Sequence, residues 1–274
     1  MRLAITGASG FIGTHLRARF PDHVVILRHD PVEVVRDKLQ GVDVVVNLAG
    51  APIIRRWTKA YKKVLEDSRI QTTRRLVAAL KGLKGERHLI STSAIGIYPD
   101  GVACDEDCTT FSRDFLGELA QKWEHEALCA PIPTTILRLG IILGREGGAL
   151  KLMLLPFKLG LGGPIGRGNM VMSWLAIDDL MEIYQFVIKR GITGIVNAVS
   201  PNPVTNLEFT KAFGRVLRRP TIFPVPPFVL WLLYGEAYKV LTSSKEVYPK
   251  VLLENGFSFK YPEVKGALEH ILIQ

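Results

Sequence analysis

Thr6-Gly7-Ala8-Ser9-Gly10-Phe11-Ile12-Gly13 follows directly on the apolar run Leu3 to Thr6 and opens a helical pattern. Gly7 suits the tight turn out of a strand, Gly10 lets the backbone approach a pyrophosphate, and Gly13 allows close packing of helix on strand. The start of the following helix offers amide N–H groups to an anion, so Ser9, Phe11 and Ile12 join the three glycines as candidate cofactor-binding positions. A loop of this kind between a strand and a helix predicts a dinucleotide-binding βαβ unit.

Outward from the loop, β-rich runs at Leu3–Thr6, Val24–Leu27, Val42–Asn47, His88–Thr92 and Thr134–Leu139 alternate with helical patterns, among them Thr58–Leu80 and Phe115–Leu128. Such alternation implies an α/β protein built on a Rossmann doubly wound parallel sheet, covered by helices on both faces. From about Gly144 the texture becomes richer in Gly and Pro, which predicts a smaller C-terminal α/β lobe. The expected division is 1–145 for the Rossmann domain, rejoined by segments around 170–200, and 146–274 mainly for the lobe. The apolar stretch Phe228 to Leu241 is expected to pack onto the main domain, with a membrane or a partner as the competing reading, and Asp178 to cap a helix that anchors the lobe together with Trp174 and Asp179.

The end of the second strand reads Leu27-Arg28-His29-Asp30. A guanidinium there pairs with the 2′-phosphate of NADP, with His29 assisting, whereas Asp30 on the ribose hydroxyls is the pattern for NAD; the order of the residues favours NADP, with NAD as the alternative. Asn47-Leu48-Ala49-Gly50 ends the third strand with small residues, and Ser91-Thr92-Ser93 ends the fourth with hydroxyls expected at the same carboxyl edge, where ligands of open α/β sheets bind.

Composition excludes several classes. With 47% hydrophobic and 22% charged residues over 274 positions, the chain carries enough apolar surface for a full core, so disorder is excluded. No apolar run approaches the ~20 residues of a membrane-spanning helix, and the chain leads at once into a strand rather than a signal peptide, which gives the cytoplasm as the expected compartment and no membrane partner. Cys104, Cys108 and Cys129 are odd in number, and the spacing of the first two is a poor zinc signature. The expectation is therefore a reducing compartment, no disulfide framework and no metal. Lys and Arg exceed Asp and Glu by 35 to 26, but the positive charges read as dispersed along the chain, which argues against nucleic acid and leaves an anionic small molecule as the expected partner.

These residues resemble the short-chain dehydrogenase/reductase superfamily in its extended, epimerase-like branch. Arg55-Arg56-Trp57, Ser68-Arg69, Trp123-Glu124, Arg138-Leu139-Gly140-Ile141-Ile142-Leu143-Gly144, Leu159 to Pro164, Trp174 and Asp178-Asp179-Leu180 sharpen the likeness to an atypical subgroup of NAD-dependent epimerase/dehydratase-like, or cell-division-inhibitor-like, proteins. Ser243-Ser244, Gly256-Phe257 and Tyr261-Pro262 resemble that subgroup's small C-terminal domain. The resemblance implies bound NADP(H), an oxidoreductase or epimerase role, Arg69 reaching the cofactor's phosphate or ribose, and Gly140, Ile141 and Ile142 laid against the nicotinamide, with core packing as the competing reading of these last three.

The chain departs from the superfamily at the Tyr-x-x-x-Lys pair, in which lysine lowers the tyrosine pKa so that the phenol exchanges a proton with substrate. Here that helix reads Phe115-Leu116-Gly117-Glu118-Leu119, and Lys122 stands at the wrong offset. Ser93 and Tyr98 are the remaining hydroxyl candidates for catalysis, with a packed aromatic as the competing reading of Tyr98. Arg69 likewise has a competing reading as a surface pair with Glu66. Lys158 and Arg167, in the flexible glycine-rich loop Phe157 to Gly168, are candidates for an anionic substrate, with a simple connector as the competing reading. An NADP(H)-dependent oxidoreductase or epimerase on a small polar substrate is the leading expectation, and a non-catalytic NADP-binding sensor the alternative; the oligomeric state is left open.

Overall fold

The computed structural model describes residues 1–273. Its first half alternates β1 (Leu3–Thr6), α1 (Phe11–Arg19), β2 (His23–Ile26), α2 (Val32–Lys38), β3 (Val44–Asn47), α3 (Lys59–Leu80) and β4 (His88–Ala94). After the two-residue β5 (Ala103–Cys104), α4 (Phe115–Leu128) leads into β6 (Thr134–Leu139). The second half runs β7 (Ile141–Leu143), α5 (Gly148–Lys158), β8 (Val171–Met172), β9 (Trp174–Ala176), α6 (Ile177–Arg190) and β10 (Gly194–Ala198). It ends with β11 (Val204–Thr205), α7 (Asn206–Leu217), α8 (Pro227–Tyr234), α9 (Tyr238–Thr242), β12 (Glu246–Val247), α10 (Lys250–Glu254) and α11 (Val264–Ile273).

Six strands form one parallel sheet in the order β10-β6-β4-β3-β1-β2. The chain leaves β1 for β2 on one side and returns to β3 on the other, so the strand order reverses between β1 and β3, and a crevice opens at the carboxyl ends there. β1 and β3 are buried along their whole length, as strands covered on both faces must be. One core, with Leu3, Ile5, Leu16, Val46 and Leu180, lies under α1 and α6, while Ala4, Val45, Leu76 and Leu80 fill the opposite face. A separate cluster of Phe157, Trp174, Phe209, Phe213 and Leu268 holds α5, α7 and α11 together.

Several boundaries differ from expectation for local reasons. β2 stops at Ile26 because the Leu27 amide turns away to the Asp30 carboxylate at 2.7 Å. β4 runs on to Ala94 because β6 pairs with it as far as Ala94–Leu139. Asp178 is not a helix cap: Ala176 takes that position, and Asp178 instead meets His270 of α11 at 3.2 Å. Asp179 does anchor, its buried carboxylate accepting from the Lys260 and Tyr261 amides at 2.8 and 3.0 Å.

Two expectations are revised in part. Cys104 and Cys108 are joined as a disulfide, with Cα atoms 5.4 Å apart. The turn between them, in which the Cys108 amide donates to the Asp105 carbonyl, folds the chain back on itself; the four-residue spacing that fails as a zinc signature suits this short loop. Ala237 of the apolar stretch Phe228 to Leu241 is buried as expected, but the helix α8 ahead of it is not. None of its residues is buried, and Phe228 and Trp231 are 68% and 56% exposed. Among the described residues, no helix is long and apolar enough to cross a membrane.

Candidate functional site

At the β1–β3 crevice the glycine loop is shaped by contacts of backbone on backbone. Gly7 has a φ of 65°, and a Cβ there would stand 2.8 Å from the Leu48 carbonyl. A Cβ at Gly13 would stand 2.5 Å from the Gly7 carbonyl, so the turn and the helix behind it exclude side chains at both positions. At Gly10 the sole near neighbour is the Gly7 carbonyl at 3.3 Å, which leaves the outward side free. The first turn of α1 has neither a side-chain cap nor an acidic residue, so its amides point uncommitted into the crevice. Ser9 is exposed at the loop tip. The Phe11 ring turns away and fills the space beside Gly144 and Gly147, tying the loop to the start of α5, and Ile12 packs into the main core.

Thr6 locks the two loops together. Its hydroxyl donates to Asn47 Oδ1 at 2.7 Å and accepts from the Leu48 and Ala49 amides at 3.0 and 3.1 Å. Asn47 Nδ2 in turn donates to Thr73 and Ser91. Leu48, Ala49 and Gly50 are thereby fixed at the carboxyl edge, with Gly50 exposed. Arg69 lies beneath Gly50 and donates to the Ala51 and Leu65 carbonyls at 3.1 and 3.2 Å, with its guanidinium 5.3 Å from the Trp123 ring centre. The expected alternative, a surface pair with Glu66, is corrected: Arg69 is buried, and Glu66 pairs with Lys122. Burial pulls the Arg69 guanidinium down to about 10.

The turn after β2 presents Arg28 and His29 to solvent. Asp30 is turned inward, held by Lys38 Nζ at 2.6 Å and by the Leu27 amide. Burial raises its carboxyl, but the hydrogen bonds to Lys38 and Leu27 outweigh that and hold it below its ordinary value. Arg75 of α3 donates to the Arg28 carbonyl at 2.5 Å and braces the turn from below; nothing local in the sequence marks it, because it comes from a helix 47 positions further on.

The strand-end hydroxyls do not face the crevice as expected. Ser91 accepts from Asn47, Thr92 Oγ1 lies 3.3 Å from the Tyr184 hydroxyl, and Ser93 Oγ donates to Glu124 Oε1 at 2.6 Å. Glu124 also grips Arg138 through Nε at 2.9 Å and Nη2 at 2.7 Å, with side-chain exposures of 7% and 4%. Arg138 Nη1 donates to the Tyr98 hydroxyl at 2.8 Å, which donates onward to Asn197 Oδ1 at 2.9 Å. Tyr98 is wholly buried, and burial pushes its phenol above the ordinary value despite the opposing pull of Arg138. Both catalytic candidates thus belong to an internal chain of hydrogen bonds, in which Tyr98 is packed between Arg138 and Asn197. The ion pair at its centre was missed, because nothing in a sequence shows that residues on α4 and β6 meet.

The remaining candidates also find structural partners. A Cβ at Gly140 would stand 2.7 Å from the Ser173 carbonyl and 2.8 Å from Val199, so the packing of these neighbours by itself requires a glycine here. Ile141 and Ile142 pair with Trp174 and Leu175 in the β7–β9 ladder. Phe115 and Leu119 join an apolar cluster with Leu65, Ile70 and Trp123. Within the glycine-rich stretch Phe157 to Gly168, the loop that follows α5 is seamed to residues 220–227, with the Phe223 carbonyl lying over Gly163 and Ile165 bridged to Val225.

Comparison with known proteins agrees with this architecture. Residues 3–198 match the NAD dependent epimerase/dehydratase family, and residues 225–271 match a domain of unknown function, DUF1731. The chain is 35% identical to the chloroplastic epimerase family protein SDR39U1 homolog of Arabidopsis thaliana, covering 99% of this chain and 87% of that one. It is 34% identical to the epimerase family protein YfhF of Bacillus subtilis, covering 99% and 98%. The crystal structure of human epimerase family protein SDR39U1 (isoform 2) with NADPH superposes over 100% of both chains at a TM-score of 0.92 and 32% identity. The glycine loop at the strand-order reversal, the parallel sheet and these full-length likenesses together show that the chain belongs to the NAD dependent epimerase/dehydratase family.

Proposed function

We propose that the chain is an NADP(H)-dependent oxidoreductase or epimerase acting on a small polar substrate and working without the usual Tyr/Lys pair. The turn after β2 carries this reading: Arg28 and His29 are exposed there, while the carboxylate that would favour NAD is engaged by Lys38. A similar protein binds NADPH. The crevice fits such a group, because Gly10 leaves its outward side free and the α1 amides are uncommitted. Those amides and Ser9 are the proposed holders of the pyrophosphate, Arg28 and His29 of the 2′-phosphate, and the backbone of Leu48 to Gly50 of the ribose side. Arg69, buried beneath Gly50, adds positive potential at close range. When bound, the nicotinamide supplies hydride exchange.

A second reading, a non-catalytic NADP-binding sensor, draws support from one feature: Phe115 and Leu119 are packed in apolar contacts, and Ser93 and Tyr98 spend their hydroxyls inside the protein. Titration with NADPH and NADH, followed by nicotinamide fluorescence, tests the cofactor. NADPH is expected to bind more tightly by about tenfold or more, the worth of one charge-assisted hydrogen bond, with the preference lost in Arg28→Ala. Equal affinities, or no binding, would overturn the reading. A panel of sugar nucleotides, quinones and small aldehydes added to the NADPH complex separates enzyme from sensor: oxidation by any of them establishes turnover, and oxidation by none favours the sensor.

A further inference from the structure

The net charge that reads as dispersed along the chain is concentrated once acidic residues are considered. Residues 147–177 and 209–235 contain seven Lys and Arg and not one Asp or Glu, against a net charge of +9 for the whole chain. The fold brings the two stretches side by side. Phe157 of α5 packs on Phe213 of α7 with ring centres 4.4 Å apart, Gly160 lies against Pro220, and Gly166 against Pro227. Lys211, Arg215 and Arg218 recur at helical spacing along α7 and just beyond its end. With Arg219 and Thr221 they line an open cavity of about 420 Å³. Among the described residues, no carboxylate forms a salt bridge with any of these four cations.

Next to that cavity the surface is apolar. Leu152, Leu155 and Leu159 lie on one exposed side of α5, opposite buried Phe157, with Lys151 and Lys158 beside them. Ile222 and Phe223 follow directly on the cationic cavity and are 74% and 67% exposed. α8 continues the strip with no polar side chain except Tyr234, and Trp231 at its middle. Its far end is clasped to the main domain, where Gly235 lies against Arg56 and Glu236 pairs with Lys62 at 2.7 Å. An apolar strip with an interfacial tryptophan beside Arg215, Arg218 and Arg219, which form no salt bridge among the described residues, is the chemistry of a surface that lies in the headgroup region of a bilayer.

We propose that this rim, formed by α5, residues 219–223 and α8, is a peripheral docking surface for an anionic lipid bilayer, with phosphate headgroups in the Arg215–Arg219 cavity and Phe223, Phe228 and Trp231 among the acyl chains. The proposal is independent of the cofactor reading, and its test does not use activity. The full chain is floated with vesicles of phosphatidylcholine alone and of phosphatidylcholine with phosphatidylglycerol. It is expected to float with the anionic vesicles at low salt, to be released by high salt, and to show a blue-shifted tryptophan emission that is absent in Trp231→Phe. Arg215→Glu with Arg219→Glu, and separately Phe228→Ser with Trp231→Ser, should each lower partitioning about tenfold or more. All four are exposed positions, so melting temperature and NADPH affinity are expected to stay at the parent values and serve as folding controls. Three results would overturn the proposal: no flotation with anionic vesicles; a concentration-dependent dimer abolished by Trp231→Ser without vesicle binding; or binding of single-stranded RNA that depends on Arg215 and Arg219 but not on Phe228 and Trp231.

Discussion

The two ends of one sheet edge are built in opposite ways. At β1 and β3 the crevice is made of backbone: glycines at 7, 10 and 13, amides without partners, and loops held by the single hydroxyl of Thr6. At β4 and β6, two strands away, the edge is made of side chains that satisfy one another, from Ser93 through Glu124 and Arg138 to Tyr98 and Asn197. A ligand site needs unsatisfied groups held in place, whereas a buried polar chain must leave none unpaired. The first end therefore keeps its capacity to bind, and the second spends the same chemistry on holding α4, β4, β6 and β10 together.

The contrast breaks most severely at Glu124. Glu124→Ala leaves Arg138 buried without its counter-charge, and a loss of about 3–5 kcal/mol is expected in denaturant unfolding. If the loss is instead that of a surface pair, the network is not the internal brace described. Gly13→Val tests the other end: its Cβ would meet the Gly7 carbonyl and the Ala8 backbone, so overpacking of about 3 kcal/mol is expected together with loss of NADPH binding. Retention of full NADPH affinity in this variant would show that the loop is not the cofactor's cradle.

Tyr98→Phe sharpens the difference between the two ends. It removes the group between Arg138 and Asn197, so stability should fall by about 1–2 kcal/mol while NADPH affinity holds. Should turnover on a found substrate drop about tenfold with no change in stability, the phenol is a proton donor after all and the packed reading fails. The smallest effect is set by pH at Asp30. Its carboxyl is held below the ordinary value when folded, so the stability it contributes is present above the unfolded carboxylate range and lost as pH falls through the folded value. The melting-temperature difference between parent and Asp30→Asn should accordingly shrink as acid is added; a difference constant with pH would remove Lys38 as Asp30's electrostatic partner.

The comparison also explains what was legible beforehand. Gly7, Gly10 and Gly13 announce themselves because the site they form depends on side chains being absent, and the strand and the helix they join are contiguous in sequence. Arg28 and Asp30 were seen as rivals, but which of them faces outward was decided by Lys38, eight residues further on. Ser93 and Tyr98 were seen as hydroxyls near the right strand ends; their partners Glu124 and Asn197 lie 31 and 99 positions away, beyond the reach of any local pattern. Gly140 was read as making room for a close approach, and Ser173 and Val199 are the neighbours that the fold brings there.

The amino-acid sequence by itself determined the alternation of strands and helices, their parallel arrangement and the glycine loop at the first turn. These follow from periodicity and backbone sterics acting within a few residues. Tertiary structure alone decided which polar groups remain available, that Cys104 and Cys108 pair, and that α8 stands exposed beside the cations of α7. Burial, pairing and exposure are properties of what lies across a contact, and the neighbour across the contact is set by the folded chain as a whole.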